Sequence, residues 1–147
     1  MAKFFYRMQN ILDIKLKLEE QAKNEYSIAN AKYMEEYRKL QKMMARRKGY
    51  EESLKELLSG NLDMVKVTNA RKDLNNMKTL VRRQMMEVHK AEIALEQAQK
   101  ALNDIMIERK THEKLKEKAF EDFQKELQAG ELKEIDELVS FTFSNNM

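Results

Sequence analysis

Few side chains in this sequence could carry out acid–base or nucleophilic chemistry. Its 147 residues include two histidines, His89 and His112, and no cysteine. No His-x-x-x-His pair and no cysteine cluster is present, so neither a metal site nor a thiol nucleophile is predicted. Catalysis also needs a concave pocket with convergent groups, and the sequence has no glycine-rich phosphate-binding loop. The sequence therefore predicts a protein that is not an enzyme and that uses no cofactor.

The charged residues hold most of the remaining chemical character, and they are unevenly distributed. Residues 1–50 contain 12 Lys and Arg against 6 Asp and Glu, whereas residues 101–147 contain 7 against 11. Residues 38–48 hold six cations and no acid, and residues 71–83 hold five cations and one acid. We call these two segments together the basic collar. The chain thus runs from a basic first third to an acidic last third.

The basic collar has three possible interpretations. A nucleic-acid site would use such cations to displace counterions, but no base-stacking platform and no nucleic-acid-binding motif accompanies them. No nucleic-acid partner is therefore predicted. The two readings that stay open are a surface for an acidic protein partner and a merely solvated face.

Composition indicates that long helices position these charges. The sequence has no proline, only three glycines and 42% hydrophobic residues, which is typical of extended helices and too apolar for disorder. The strongest breaker is the Ser-Gly-Asn tripeptide at residues 59–61. We predict a single all-α domain over residues 1–147. Its parts are helix 1 at about 4–58, a turn at 59–61, helix 2 at about 62–129 and a short helical tail at 130–147.

Apolar residues recur at alternating steps of three and four in both helices, which predicts a coiled coil. We call these positions the seam. In helix 2 the predicted seam positions are 67, 70, 74, 77, 81, 84, 88, 91, 95, 98, 102, 105, 109, 112, 116, 119, 123 and 126. In helix 1 they are 8, 11, 15, 18, 22, 26, 29, 33, 36, 40, 43, 47, 50, 54 and 57. The consecutive four-residue steps from 18 to 26 predict a stutter.

A short turn makes the two helices antiparallel, so that facing residue numbers add up to about 120. Gly60 is expected in the left-handed position after helix 1, and Asn61 is expected to cap helix 2. Each arm of about 55 residues would be about 80 Å long. Residues 118–129 would then extend beyond helix 1, leaving Phe120 and Phe123 without a partner in the chain.

The open end of this hairpin is aromatic. In the predicted pairing, helix 1 brings Phe4, Phe5, Tyr6 and Met8 near Leu115, Phe120 and Phe123 of helix 2. Residues 51–119 contain no Phe, Tyr or Trp. Two readings are open: simple packing of the helix ends, or docking into a ring or groove of a partner.

No segment of the sequence predicts membrane insertion or secretion. Nothing approaches 18 continuous apolar residues, and Arg7, Gln9, Asn10 and Asp13 interrupt any apolar stretch near the start. The expected location is the cytoplasm.

Four segments resemble the FliJ family, the small coiled-coil proteins of the bacterial flagellar type III export apparatus. They are residues 5–12 (FYRMQNIL), the Glu pair at 19–20 before an Ala-rich seam, residues 108–115 (ERKTHEKL) and residues 133–137 (KEIDE). Together they span nearly the whole chain. The resemblance implies an antiparallel two-helix coiled coil similar to the γ stalk of rotary ATPases, which serves flagellum biogenesis and hence motility and chemotaxis.

The resemblance also implies partners. Family members insert into the hexameric export ATPase and promote its assembly and activity, contact the membrane export-gate protein, and cycle export chaperones. The expected location is then the cytoplasmic face of the cell membrane at the flagellar base. The end that carries both termini would enter the ATPase ring. The residues expected to contact the ring are Phe5, Tyr6, Arg7, Met8, Arg109, Lys110, Phe120 and Phe123.

The export gate, or another acidic partner, is expected on the half nearer the turn. Met43 and Tyr50 match family positions on helix 1, Leu74 fits on helix 2, and Arg46 stands where an aromatic residue would be expected. The residues of this predicted surface are Met43, Arg46, Arg47, Lys48, Tyr50, Leu74, Arg82 and Arg83.

Two alternatives compete with this hypothesis. One is a generic coiled-coil chaperone or adaptor hairpin of the prefoldin type, although the sequence lacks the sheet-forming segment that joins such arms. The other is an intermolecular coiled coil in which helix 2 pairs with a second copy. The hairpin hypothesis predicts instead a chain that is monomeric on its own.

Overall fold

Two long helices make up most of the protein. The computed structural model describes residues 2–145, without the side chain of Asn145. Helix α1 runs over Gln9–Ser59 and helix α2 over Met64–Asn145. The helices pack against each other, and the described residues contain no strand. The predicted all-α coiled-coil hairpin is therefore confirmed. The last two residues of the predicted tail, Asn146 and Met147, lie outside the described residues.

The chain divides into two compact units. One comprises Gln21–Leu102, and the other comprises Met1–Glu20 with Asn103–Met147. We describe each unit by itself. The assignment of residues 1–147 to a single domain stays a prediction.

Apolar seam residues form the core of the Gln21–Leu102 unit. Leu40, Met77 and Val81 are buried against one another, and Met43 and Val88 pack on this cluster. Leu40 lies on α1 and the other two lie on α2, so the cluster joins the helices across the seam. Burial of such side chains contributes about 1.5–3 kcal/mol each.

The predicted seam of α2 is confirmed over nearly its full length. Every predicted position from Val67 to Phe123 is buried or half-buried, and only the last one, Glu126, is exposed. The alternation of three- and four-residue steps therefore identified the buried face of a helix of 82 residues.

The seam of α1 differs from the prediction near its start. Leu12 and Glu19 are buried, while their neighbours Ile11 and Leu18 are exposed. With Leu12 and Glu19 in the seam, the three–four alternation runs from residue 12 to residue 47 without the expected stutter. The physical reason is an ion pair, because Glu19 turns inward to meet a guanidinium group on α2.

Farther along α1, one aromatic seam position is also corrected. Tyr50 was expected in the seam but is exposed, and Glu51 is half-buried in its place. The Glu51 carboxylate accepts a hydrogen bond from Arg47 Nε at 3.1 Å, which keeps this side chain along the helix. Tyr50 is consequently available at the surface.

Helix α1 begins later than residue 4, where the sequence placed it. Residues 2–6 have no regular structure, and the first turns form when Gln9 N donates to Tyr6 O and Leu12 N donates to Met8 O. Three consecutive aromatic residues at 4–6 have only modest helix propensity. The ring contacts of Phe4 with α2, described below, replace the helical hydrogen bonds as the local source of order.

The connection between the helices is capped differently from the prediction. It spans residues 60–63, and no glycine in the described residues has a positive φ. Asp63, not Asn61, caps α2: its Oδ1 accepts hydrogen bonds from Val65 N at 3.1 Å and Lys66 N at 3.4 Å. A carboxylate at this position satisfies amide groups that have no partner within the helix and complements the helix dipole.

Helix α2 does not end at residue 129, as the sequence indicated, but continues through Gly130 to Asn145. A glycine costs about 1 kcal/mol in a helix relative to alanine, which good helix formers around it can offset. Glu131, Leu132 and Lys133 follow directly, and no proline stops the helix. The tail is therefore the last part of α2 and not a separate element.

Candidate functional site

Three phenylalanines join the N-terminal segment to α2. The ring of Phe4 lies 5.1 Å from that of Phe120 in an edge-to-face arrangement and 5.5 Å from that of Phe123, measured between centroids. Such pairs contribute about 0.5–1.5 kcal/mol beyond their buried area. The sequence had placed residue 4 opposite residue 116 and left Phe120 and Phe123 without a partner, which is wrong. An extended residue spans over 3 Å, against 1.5 Å in a helix, so the non-helical segment reaches farther along α2.

A groove at this end brings most of the predicted ATPase-contacting residues together. We call it the aromatic groove. It is lined by Phe4, Phe5, Tyr6, Arg7, Met8, Ala119, Asp122, Phe123 and Glu126. Phe5 is 82% exposed, so its ring is presented to solvent beside the groove. An exposed ring next to an apolar groove with acidic groups at its border is suited to bind a protein surface.

Tyr6 and Phe4 have a different role at this groove from Phe5. The Tyr6 hydroxyl oxygen is buried and makes no hydrogen bond to any residue within 2–145. Its contribution is therefore the packing of its ring. Phe4 was not among the predicted contact residues, and its role as the anchor of the segment could have been suggested by the run of three aromatic residues.

Arg109, also predicted to contact the ATPase, is engaged within its own unit. Its guanidinium group donates to Glu19 from Nε at 2.6 Å and from Nη2 at 3.1 Å, and to Glu113 from Nη1 at 2.9 Å. The hydrogen bonds to Glu19 first and to Glu113 second raise the pKa of Arg109. Its neighbour Lys110 is exposed. The geometry brings Lys110, but not Arg109, to the surface as a free contact group.

A second ion pair supports the same region. Lys15 Nζ lies 2.8 Å from Glu108 Oε2, and both side chains are partly accessible to solvent. An accessible pair of this kind contributes at most about 1 kcal/mol. The charged stretch near residue 109 therefore contributes to the pairing of the helices.

The second predicted surface, near the basic collar, contains both surface and seam residues. Arg46, Lys48, Tyr50, Arg82 and Arg83 are exposed. Met43 and Leu74 belong to the seam, where Met43 is half-buried and Leu74 is buried. A shallow groove on α1 is lined by Arg46, Gly49, Tyr50 and Ser53.

Most cations of this surface are uncompensated. Within residues 2–145, Arg46, Lys48, Arg82 and Arg83 form no ion pair, whereas Lys39 lies near Glu35 and Glu36, and Arg47 pairs with Glu51. Unpaired surface cations on both helices produce a positive field that an acidic partner would meet.

Sequence reasoning missed several apolar residues at the edge of this surface. Met44, Leu80, Met85 and Met86 are large and exposed. The seam was predicted only from the apolar residues that recur at steps of three and four. Apolar residues that flank the seam were therefore not considered as a possible binding surface. Their signal in the sequence is the concentration of methionine, a residue common on adaptable binding surfaces.

No metal site and no membrane span were found in the described part of the chain. No three His, Asp or Glu side chains among residues 2–145 are grouped so that they could hold a metal ion. Neither of the two helices, as far as they are described, has a segment apolar enough over sufficient length to cross a bilayer.

Two packed helices whose accessible groups form grooves and charged surfaces are an architecture typical of structural and adaptor proteins. Comparison with known families agrees: residues 4–147 match the family described as Flagellar FliJ protein, and the chain belongs to the FliJ family. This is a family of structural and adaptor proteins related to flagellar export, not a family of enzymes. No curated protein and no solved structure matches the chain significantly.

Proposed function

We propose that this protein is a non-enzymatic stalk and adaptor of the flagellar export apparatus. The end of the molecule that carries the aromatic groove inserts into the hexameric ring of the export ATPase. This insertion promotes assembly of the ring and its ATPase activity. The half near the basic collar connects the ATPase to the membrane export gate and to export chaperones. The protein works at the cytoplasmic face of the membrane at the flagellar base. Family membership favours this function over a chaperone of the prefoldin type.

The observation that carries the ATPase assignment is the exposure of Phe5 beside the aromatic groove. A ring that is 82% exposed contributes little to the hairpin itself, so its value lies in binding. Aromatic residues at the centre of an interface commonly contribute more than 1 kcal/mol each, which corresponds to about fivefold or more in affinity.

The test is association with purified export ATPase after Phe5→Ala, alone and combined with Phe120→Ala. We expect the single change to weaken binding about fivefold or more, and the double change to weaken it further. Helix content, measured by circular dichroism, should stay the same for Phe5→Ala, since that ring packs little within the chain.

Ile28→Ala is the matched control, because Ile28 is an apolar side chain exposed in the other unit. It should leave ATPase association unchanged. If Phe5→Ala bound the export ATPase with wild-type affinity, the assignment of the aromatic groove to the ATPase would be wrong.

The collar half is tested separately. Arg47 is half-buried and paired with Glu51, so its reversal would disturb the seam; Arg46 and Lys48 are the suitable positions. Arg46→Glu with Lys48→Glu should weaken binding to the export gate or another acidic partner, and the wild-type affinity should fall as salt rises towards about 1 M, where the Debye length is about 3 Å. Binding without salt dependence would show that the collar is only solvated.

A further inference from the structure

The end of α2 carries an apolar face with no cover. Leu132, Ile135, Leu138 and Val139 are between 54% and 65% exposed. Together with Leu127 they span about 140° of the circumference of the helix at 100° per residue, so that they share one side of it. We call this side the C-terminal apolar face.

This face does not continue the seam. Beyond Phe123 the seam positions fall on Glu126, Gly130, Lys133 and Glu137, none of which is apolar. At 100° per residue, Leu132, Ile135 and Val139 lie roughly on the opposite side of α2 from these positions. The C-terminal apolar face is therefore oriented away from the line along which the chain pairs with itself.

Charge restricts what can cover this face. Residues 126–145 contain five acids and a single lysine. Two such segments side by side would bring like charges together, and an anionic lipid surface would repel them. The occupant that fits is an apolar surface bordered by cations.

The Gln21–Leu102 unit presents such a surface. Tyr37, Met44 and Met85 are 43–49% exposed and occupy seam-flanking positions on the two helices. In an antiparallel pair of helices, these positions of the two helices lie along the same flank. Three cations accompany the exposed residues on the same side of α2, namely Arg71, Lys78 and Arg82. We call this the basic methionine face.

We propose that the C-terminal apolar face of one copy packs on the basic methionine face of a second copy. The acidic helix would lie in the groove between two helices and form a local three-helix contact, with apolar anchors inward and carboxylates beside Arg71 and Arg82. The contact leaves the seam intact, so the chain is monomeric when dilute and associates head to tail as concentration rises.

The test measures molar mass by light scattering at two concentrations that differ about 50-fold, at low and at high salt. At low salt the wild-type mass should rise above that of one 17.5 kDa chain at the higher concentration, and high salt should restore the single-chain mass. Glu131→Lys with Asp136→Lys should stay monomeric, and so should Arg71→Glu with Arg82→Glu. Leu138→Ser should reduce association as well.

Mixing the two charge-reversed proteins gives the decisive result. The basic C-terminal segment of one variant then faces the acidic surface of the other, so association should return in the mixture. Lys90→Glu with Lys100→Glu is the matched control and should associate like the wild type, because both lysines are exposed outside the proposed contact.

Several outcomes would overturn the proposal. They are a mixture that stays monomeric, a wild-type mass that does not depend on concentration, and association that survives the Arg71/Arg82 reversal, which would mean pairing between C-terminal segments. Binding of the wild type to anionic lipid vesicles that Leu138→Ser abolishes would assign the face to membranes instead. Circular dichroism of each variant verifies that the helices are retained.

Discussion

Buried polar residues determine how this seam pairs. Glu36 is buried, yet its Oε2 accepts a hydrogen bond from Gln84 Nε2 at 2.6 Å and its Oε1 lies 2.9 Å from Lys32 Nζ. Gln84 Nε2 also donates to the Glu36 carbonyl oxygen at 2.9 Å. The hydrogen bond from Lys32, and then the one from Gln84, lower the pKa of Glu36 from 4.5 to about 2. A carboxylate held in this way stabilises the pairing only while it is ionised.

The Glu36 carboxylate should therefore contribute to acid sensitivity. Because its pKa is lower in the folded chain, its contribution is fully present above pH 4.5 and is lost as pH falls towards about 2. Glu36→Gln should flatten the dependence of the unfolding free energy on pH in this window, as measured by urea denaturation.

Glu35→Gln is the control for this pH experiment, since Glu35 is exposed and lies 3.5 Å from Lys39. It should leave the slope close to that of the wild type. Equal slopes for wild type and Glu36→Gln would show that Glu36 is not coupled to folding.

At the residue scale, the sequence predicted which residues lie in the seam better than it predicted which residue each of them contacts. The rule that facing numbers add up to about 120 places Glu36 opposite Gln84, and the structure pairs them. The partner of Glu19 could not be predicted, because Leu18 competes for the same seam position by hydrophobicity alone. Only the distant Arg109 decides in favour of the carboxylate.

At the element scale, the continuity of α2 through Gly130 makes this glycine a local weak point. A Cβ added at Gly130 would meet nothing within 4 Å, so Gly130→Ala should be accepted without strain. It should stabilise the end of α2 by about 1 kcal/mol, while Gly130→Pro should destabilise it by about 3 kcal/mol. Amide hydrogen exchange over residues 131–144 measures both effects.

Gly49→Ala is the matched control, because Gly49 also lies inside a helix with open space at its Cβ position. It should slow exchange around residue 49 and leave residues 131–144 unchanged. If Gly130→Pro left exchange over those residues unaltered, α2 would not be continuous there.

The periodicity of the sequence predicted the buried faces of the helices in this chain but not the ends of the helices. Three-residue and four-residue steps locate the buried face of a long helix, and here they did so from Val67 to Phe123. They do not locate its ends, because ends depend on capping and on competing contacts. Asp63 supplies the cap of α2, and the ring contacts of Phe4 replace the first turns that helix 1 was expected to have.

At the scale of the whole molecule, the buried polar pair specifies one alignment of the helices among many. A shift by one heptad would bring Glu36 opposite Met77 or Ala91 and leave Gln84 without the carboxylate. An unsatisfied buried amide costs about 1–3 kcal/mol, so shifted alignments are disfavoured. An all-apolar seam would lack this discrimination.

Replacing both partners tests this role. Glu36→Leu with Gln84→Leu should keep or raise the resistance to denaturant, because a well-packed apolar pair replaces polar groups. It should also produce a mixture of species in light scattering and broadened amide resonances, as alternative alignments become populated. Gln84→Leu alone should be less stable than the wild type by about 1–3 kcal/mol. A double variant with one sharp set of resonances and a single-chain mass would contradict the role in alignment.

The three–four alternation runs from residue 12 to residue 47 on α1 and from Val67 to Phe123 on α2, and over these stretches it makes the length of the hairpin adjustable. Seven residues return a helix to the same side, so one heptad can be removed from each helix at facing positions while every remaining seam residue keeps a partner. Each removal shortens a helix by about 10 Å. Removal of a number of residues that is not a multiple of seven would rotate the remaining seam of one helix away from the other helix. Evolution could therefore change the length of this protein only by whole heptads.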